Sequence, residues 1–218
     1  MIISEPTRYG AGMYLYGDYW DLHSLHKLIH RLADGYPIEG ELVDFLLSLA
    51  YEIRHAYQGD RLEESFGFDE LDQVNYRGVP LLWPVLIPQI GLLRWAAAYH
   101  PTSKKDQATL LILEHCVEDS LIEYDKSIGD CVYDLRTMFD WLNKDYYVQF
   151  VYKCAYSYLF DSKGGKARFK RLPLVLRMMH PSSNEYRIFA EHLESRATEL
   201  GTSPHNLQDW STWPDFRW

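Results

Sequence analysis

Cysteine is scarce in this chain and offers no pairing pattern. Cys116, Cys131 and Cys154 are odd in number, form no CxxC pair and lie inside apolar helical patterns. A disulfide framework or a cysteine zinc site is therefore not expected, and the usage fits a reducing compartment such as the cytoplasm. Long uninterrupted apolar runs are also missing. The nearest to one, Val79 to Tyr99, is broken by Pro80, Pro84, Pro88, Gln89 and Arg94. Arg94 alone costs about 2.5 to 3.5 kcal/mol near a bilayer centre, and the prolines remove hydrogen bonds that lipid does not replace. A buried core helix is expected there, with no membrane span. The first residues, "MIISEPTRYGAGMYLYG", hold neither a basic region nor a continuous apolar one, so a signal peptide is not expected.

Positive charge is in deficit. Lys and Arg total 22 against 31 Asp and Glu, a formal net charge of −9, which disfavours general nucleic-acid binding. Motifs that announce chemistry are missing as well: there is no GxGxxG, GxSxG or HExxH. Gly164-Gly165-Lys166 does not complete a phosphate-binding loop, because Ala167 follows the lysine. No cofactor is expected.

At 218 residues the chain buries about 70% of its unfolded surface without covalent staples. The expected architecture is mainly α: a single-domain bundle of seven or eight helices over residues 1–218, with a small β hairpin or two-stranded sheet in residues 1–17. Helices fill 18–200. The aromatic tail, 201–218, is expected to pack onto the domain through Trp210, Trp213, Phe216 and Trp218.

Leu22, Leu25, Leu28, Ile29 and Leu32 form a helical stripe capped by Asp18, and "ADGYPIEG" ends that helix. A second helix runs from Glu41 to Gln58, with Gly59 where a left-handed residue ends it. The acidic stretch after Asp60 reads as a loop leading to one short strand in "NYRGVPLLW" that pairs with the N-terminal one. A third helix begins at Pro84 with a kink at Pro88, or begins at Pro88. Another spans Lys105 to Tyr124 with Leu110, Leu113, Val117 and Leu121 inside. "DCVYDLRTMFDWL" and "DYYVQFVYKCAYSYLF" are a tight pair or one bent helix. "PLVLRMMH" is short and buried, and a final helix carries a Ser182/Glu185 capping box and closes on Gly201.

Charge is unevenly distributed. Acids gather in Asp60 to Asp72 and again in Glu114 to Asp145, whereas Lys163 to Arg171 holds five bases and no acid. These runs read as solvated surface, or as docking sites for a charged partner. His23, His26 and His30 share the flank of the first helix, at roughly 40° to 100° from Leu22 when the apolar stripe occupies roughly 240° to 340°. Three ligands from one straight helix splay too far to converge on a metal. The nearest outside candidates, Glu52 and His55, form only one Glu-x-x-His copy where di-iron bundles use two, so no metal is assigned.

"YGDYWDL" at Tyr16 to Leu22, "RHAYQGDR" at Arg54 to Arg61 and "LWP" at Leu82 to Pro84 together resemble a bacterial family of similar length with no assigned activity. The resemblance covers mainly the first hundred residues and implies a bacterial cytoplasmic setting. It directs attention to Asp18, Tyr19, Trp20, Asp21, Arg54, His55, Gln58, Asp60 and Arg61. In structural terms Asp18 and Asp21 serve the helix start and Trp20 anchors the strand-to-helix corner. The cations of the second block suit a helix C-terminus, and Asp60 pairs with either arginine.

Two functions follow. The first is a protein-binding module, immunity or antitoxin-like, whose acidic helices, including Glu114, Glu118 and Glu123, cover a basic protein partner. The alternative is a small-molecule enzyme, with or without a metal, built between the first two helices. There His55 is the acid or base, Asp60 orients it, Arg54 or Arg61 holds an anionic substrate, and Trp20 lies nearby. Oligomeric state is not legible.

Overall fold

A computed structural model describes residues 1–35, 37–67, 73–138, 145–160, 163–207, 213 and 215–218. It begins with a hairpin of β1 (Ile3–Pro6) and β2 (Gly12–Gly17). Buried Thr7 holds the turn: its hydroxyl accepts from the N–H groups of Ala11 and Gly12 and donates to the Gly12 carbonyl. Asp18 then caps α1 (Tyr19–Ala33) by accepting from the Asp21 N–H at 2.8 Å, and the five residues of the apolar stripe are all buried. Helix α2 (Glu41–Gln58) ends on Gly59 at φ 88°, a conformation that favours glycine. Tyr57, near the end of α2, packs on Tyr19 and His23 at the start of α1, so the two helices lie side by side in opposite directions.

The chain continues through β3 (Leu62–Phe66) and β4 (Val74–Leu82). All neighbours are antiparallel, in the order β1-β2-β4-β3, with Leu15 opposite Val79 and Glu64 opposite Tyr76. The expected strand in "NYRGVPLLW" is β4, and it pairs with β2 as anticipated. The expected loop just after Asp60 is a strand instead, so the sheet has four strands where an N-terminal hairpin or edge strand and one later strand were expected. Phe66 explains this, since its ring packs edge-on against Tyr16 at 5.2 Å and beside Tyr76 at 5.6 Å despite the acids around it. Asp69, Glu70 and Asp72 lie outside the described residues. At Gly12, a Cβ would sit 1.8 Å from the Leu81 carbonyl oxygen, so β2 approaches β4 too closely there for any side chain.

Helix α3 (Trp83–Ala96) carries Pro84 in its first turn and Pro88 inside, which decides between the two expected starts in favour of the earlier one. It is buried nearly all round, through Trp83, Leu86, Ile87, Ile90 and Leu93. Ser103 and Asp106 form a capping box at α4 (Lys104–Tyr124), whose four expected inner residues are buried. Helix α5 (Lys126–Asp134) runs into a 3-10 turn, Leu135–Met138, and α6 spans Tyr147–Phe160. The join between these segments, 139–144, is outside the described residues.

Next come α7 (Lys166–Phe169), α8 (Leu172–Met178) and α9 (Asn184–Leu200), then a 3-10 turn at Pro204–Asn206. In α8, Leu172, Val175 and Leu176 are buried but Leu174 is exposed. Helix α9 closes on Gly201 as expected, but its cap is Ser183, whose hydroxyl accepts from the Tyr186 N–H, so Ser182 and Glu185 form no capping box. Mainly α with an N-terminal sheet is the observed architecture. Leu207, Trp213, Phe216 and Trp218 pack on the buried core, and Trp210 lies outside the described residues. Cys116, Cys131 and Cys154 are free thiols. Among the described residues no helix is long and apolar enough to cross a membrane.

Candidate functional site

The geometry of "RHAYQGDR" follows from how α2 ends. Gly59 turns left-handed, its N–H bonds the Ala56 carbonyl and the Asp60 N–H bonds the His55 carbonyl at 2.9 Å. This fold-back sets the Asp60 carboxylate 2.8 Å from His55 Nδ1. One residue on, Arg61 reaches back to Glu52 with two parallel bonds, Nε to Oε2 at 2.8 Å and Nη2 to Oε1 at 3.1 Å. The bonds to Glu52 raise the guanidinium's pKa above its ordinary value. Arg54 instead lies over the Tyr51 ring, 5.1 Å from its centroid, and that ring meets His55 edge-on at 4.3 Å. The expected Asp60–arginine pair is therefore replaced by Asp60–His55, because the left-handed turn delivers Asp60 to the last turn of α2 before Arg61 passes beyond it. Gln58 is exposed.

At the same end of this helix pair, on the first turn of α1, Trp20 is 72% exposed and touches Tyr19 edge-on. It does not anchor the corner: its position at the start of α1 points it away from the stripe that faces the core. Asp18 caps α1, and Asp21 lies 2.5 Å from the Met1 amino group. His23 stacks on Tyr19, and His26 meets Tyr57 edge-on at 5.6 Å. His26 and His30 bring their Nε2 atoms within 3.1 Å. Burial, followed by the charges of His30, His23, Arg54 and Lys27, pulls His26 down to about 4, so it is neutral at physiological pH. Among the described residues no group of three or more His, Cys, Asp or Glu side chains is placed to hold a metal ion.

A cleft of about 710 Å³ opens beside the second block, between α2, the β4–α3 junction, α6 and the C-terminal residues. Leu47, Leu49, Leu82, Val85 and Leu86 form apolar wall, and Tyr51, Tyr152, Trp213, Phe216 and Trp218 add five aromatic rings. The polar floor is a short network. Buried Gln89 donates to the Phe45 carbonyl at 2.8 Å and to Ser48 Oγ at 3.0 Å, and the Tyr152 hydroxyl lies 3.4 Å from the same oxygen. Burial raises the Tyr152 phenol, so it stays protonated. At the partly exposed end stands the Glu52–Arg61 pair.

Of the eight candidate residues of the two sequence blocks, Arg61 alone lines this cleft, together with Trp213, Phe216 and Trp218 of the aromatic tail. Asp18, Trp20, Asp21, Arg54, His55, Gln58 and Asp60 lie elsewhere on the α1–α2 pair, and His55 and Asp60 are brought together there. Sequence reasoning passed over Ser48, Glu52 as a lining carboxylate, Gln89 and Tyr152. Gln89 had a visible signal, a lone amide in an apolar run, which calls for a buried partner.

A family model described as Domain of unknown function (DUF6904) matches residues 2–218 of the chain. The expected kinship with a family lacking an assigned activity is borne out, and the match runs well past the first hundred residues. No curated protein and no solved structure matches.

Proposed function

We propose, for a chain that belongs to this family of unknown function, that the cleft binds a small and largely apolar molecule. The supporting observation is the cleft itself: a volume suited to a small ligand, walls of aliphatic and aromatic side chains, and a few convergent polar groups at one end. The floor hydroxyl of Tyr152, held only at 3.4 Å to Ser48 Oγ, offers hydrogen bonding that orients a ligand within apolar walls. Binding is the reading; no chemical step is assigned, since the lining carboxylate is held by Arg61. The neutral fluorophore N-phenyl-1-naphthylamine tests it. Saturable one-site enhancement that disappears in Val85→Trp, with thermal stability retained, is the expected result. Absence of saturable binding, or binding indifferent to that substitution, refutes it.

The protein-partner reading retains one favourable observation. Glu63 and Glu64 are exposed on β3, the outer strand of the sheet, close in sequence to exposed Asp60. Such an edge suits a basic partner, in the manner of an immunity or antitoxin-like module. A partner captured from the native host at low salt is expected to be lost at high salt and in Glu63→Lys/Glu64→Lys. Retention under both conditions counts against this surface. The enzyme alternative keeps its His55–Asp60 pair, but Arg61 has gone to Glu52 and the cleft lining excludes both members of the pair.

A further inference from the structure

We infer that the molecule held in the cleft is an organic cation, a quaternary or protonated amine or a comparable onium group carried on an apolar body. This rests on the binding reading of the cleft and adds the ligand's charge.

The rings lining the cleft come first. Tyr51, Tyr152, Trp213, Phe216 and Trp218 line one space, and the face of each ring carries the negative part of its quadrupole. A cation within about 6 Å of such a face is attracted, most strongly by tryptophan, and a neutral body of the same shape gains only the apolar contact.

Among the lining side chains, the charged ones are Glu52 and Arg61, and they are not equivalent. Glu52 is fixed within α2, two turns before its end. Arg61 stands on the connection between Gly59 and β3, at the tip of a long side chain, with the exposed carboxylate of Asp60 beside it in sequence. An arriving cation can take one Glu52 oxygen while Arg61, a third exposed at its side chain, turns outward to water and to the Asp60 oxygen that does not face His55, so no charge is stranded. An arriving anion has poorer choices: on the N–H groups that Arg61 leaves free it rests beside the Glu52 carboxylate, which repels it, and if it draws Arg61 away it leaves that helix-anchored carboxylate without its ion partner.

The field of the whole molecule acts in the same direction. A formal net charge of −9 raises the local concentration of cations and lowers that of anions. The floor network also suits a ligand whose cationic end remains at the Glu52 side, because Gln89 and Ser48 are already engaged with each other and with the Phe45 carbonyl.

Two probes of nearly equal shape and opposite charge separate the possibilities: tetraphenylphosphonium and tetraphenylborate, titrated against tryptophan fluorescence and by calorimetry. The phosphonium is expected to bind at least about tenfold tighter than the borate, the scale of a partly desolvated cation–aromatic contact with a carboxylate added. In Glu52→Gln that preference is expected to vanish or reverse, and in Glu52→Asp, which restores the charge, to return. Equal affinities, tighter borate binding, or a preference untouched by Glu52→Gln overturn the cation inference and leave the cleft as a site for neutral ligands. If neither ion binds, and N-phenyl-1-naphthylamine also fails, the binding reading itself falls.

Discussion

Arg94 meets Glu114 through two hydrogen bonds, Nε to Oε1 at 2.7 Å and Nη2 to Oε2 at 2.6 Å, fastening α3 to α4. Glu114 is 9% exposed at its side chain and Arg94 is 39% exposed, so the acid is the internal partner. Removing the carboxylate in Glu114→Ala leaves a half-sheltered guanidinium with Gln107 alone, and a loss of about 2 kcal/mol is expected once solvent screening of Arg94 is allowed for. Urea denaturation measures it, with exposed Glu123→Ala as the control, expected within about 0.5 kcal/mol of the parent. Equal losses would show that the pair contributes little. Charge reversal across Glu114, Glu118 and Glu123 together is for the same reason a poor surface test.

Arg168 is buried within the basic stretch that reads as a solvated loop. Its Nη1 donates to the Arg217 carbonyl at 2.9 Å and the Tyr9 carbonyl at 3.3 Å, and Nη2 donates to the Leu159 carbonyl at 3.3 Å. Burial lowers its pKa, yet these carbonyls surround the charge and join the C-terminal residues to the β1–β2 turn, where the Tyr9 N–H also bonds the Trp218 carbonyl. Arg168→Leu is expected to cost about 2 kcal/mol and to shift tryptophan emission to the red as the tail loosens. Arg168→Lys should not restore it, because one ammonium does not span three separated carbonyls. An unchanged spectrum in both variants would contradict the clamp.

His26 makes a pH signature. It titrates near 6.5 in the unfolded chain and at about 4 in the folded one, facing His23, His30 and Lys27 on α1 and Arg54 on α2. Above about pH 7 neither state carries the proton, and this residue adds no pH dependence. As pH falls from 6.5 toward about 4, the unfolded state takes up a proton that the native state refuses, so stability drops. The difference in urea midpoint between the parent and His26→Gln is therefore expected to move against the parent across that window. A difference constant from pH 7 to pH 4 would remove His26 as the cause.

One domain over residues 1–218 remains an expectation, and it has a direct measurement. The buried core cluster draws residues from Ile2 to Leu193, with Trp213 and Trp218 packed against it. Thermal or urea unfolding followed by far-UV dichroism and by tryptophan fluorescence is expected to coincide in one transition. Two separated transitions would divide the chain.

The C-terminal residues and the second block carry the lesson about legibility. "RHAYQGDR" was visible as a unit, and the His55–Asp60 contact follows from a separation of five positions that includes a glycine. The Glu52–Arg61 pair spans nine positions and changes which groups face the cleft, and nothing in the local pattern distinguishes it from an Asp60–Arg61 pair. The aromatic tail was visible as something that packs, but its place beside Tyr152 was not.

What the sequence determined by itself is what short-range physics dictates: the spans of α1 and α2, the cap at Asp18, the left-handed stops at Gly59 and Gly201, and the apolar stripes that must turn inward. Only the tertiary structure decided that acidic β3 joins the sheet, that Glu114 and Arg168 are internal, and that residues near 50, 85, 152 and 216 enclose one cleft. Periodicity and capping act over a few residues and are written in neighbouring letters. The burial of a charge, or the meeting of walls more than a hundred positions apart, depends on which surfaces pack together, and a linear pattern carries that information only weakly.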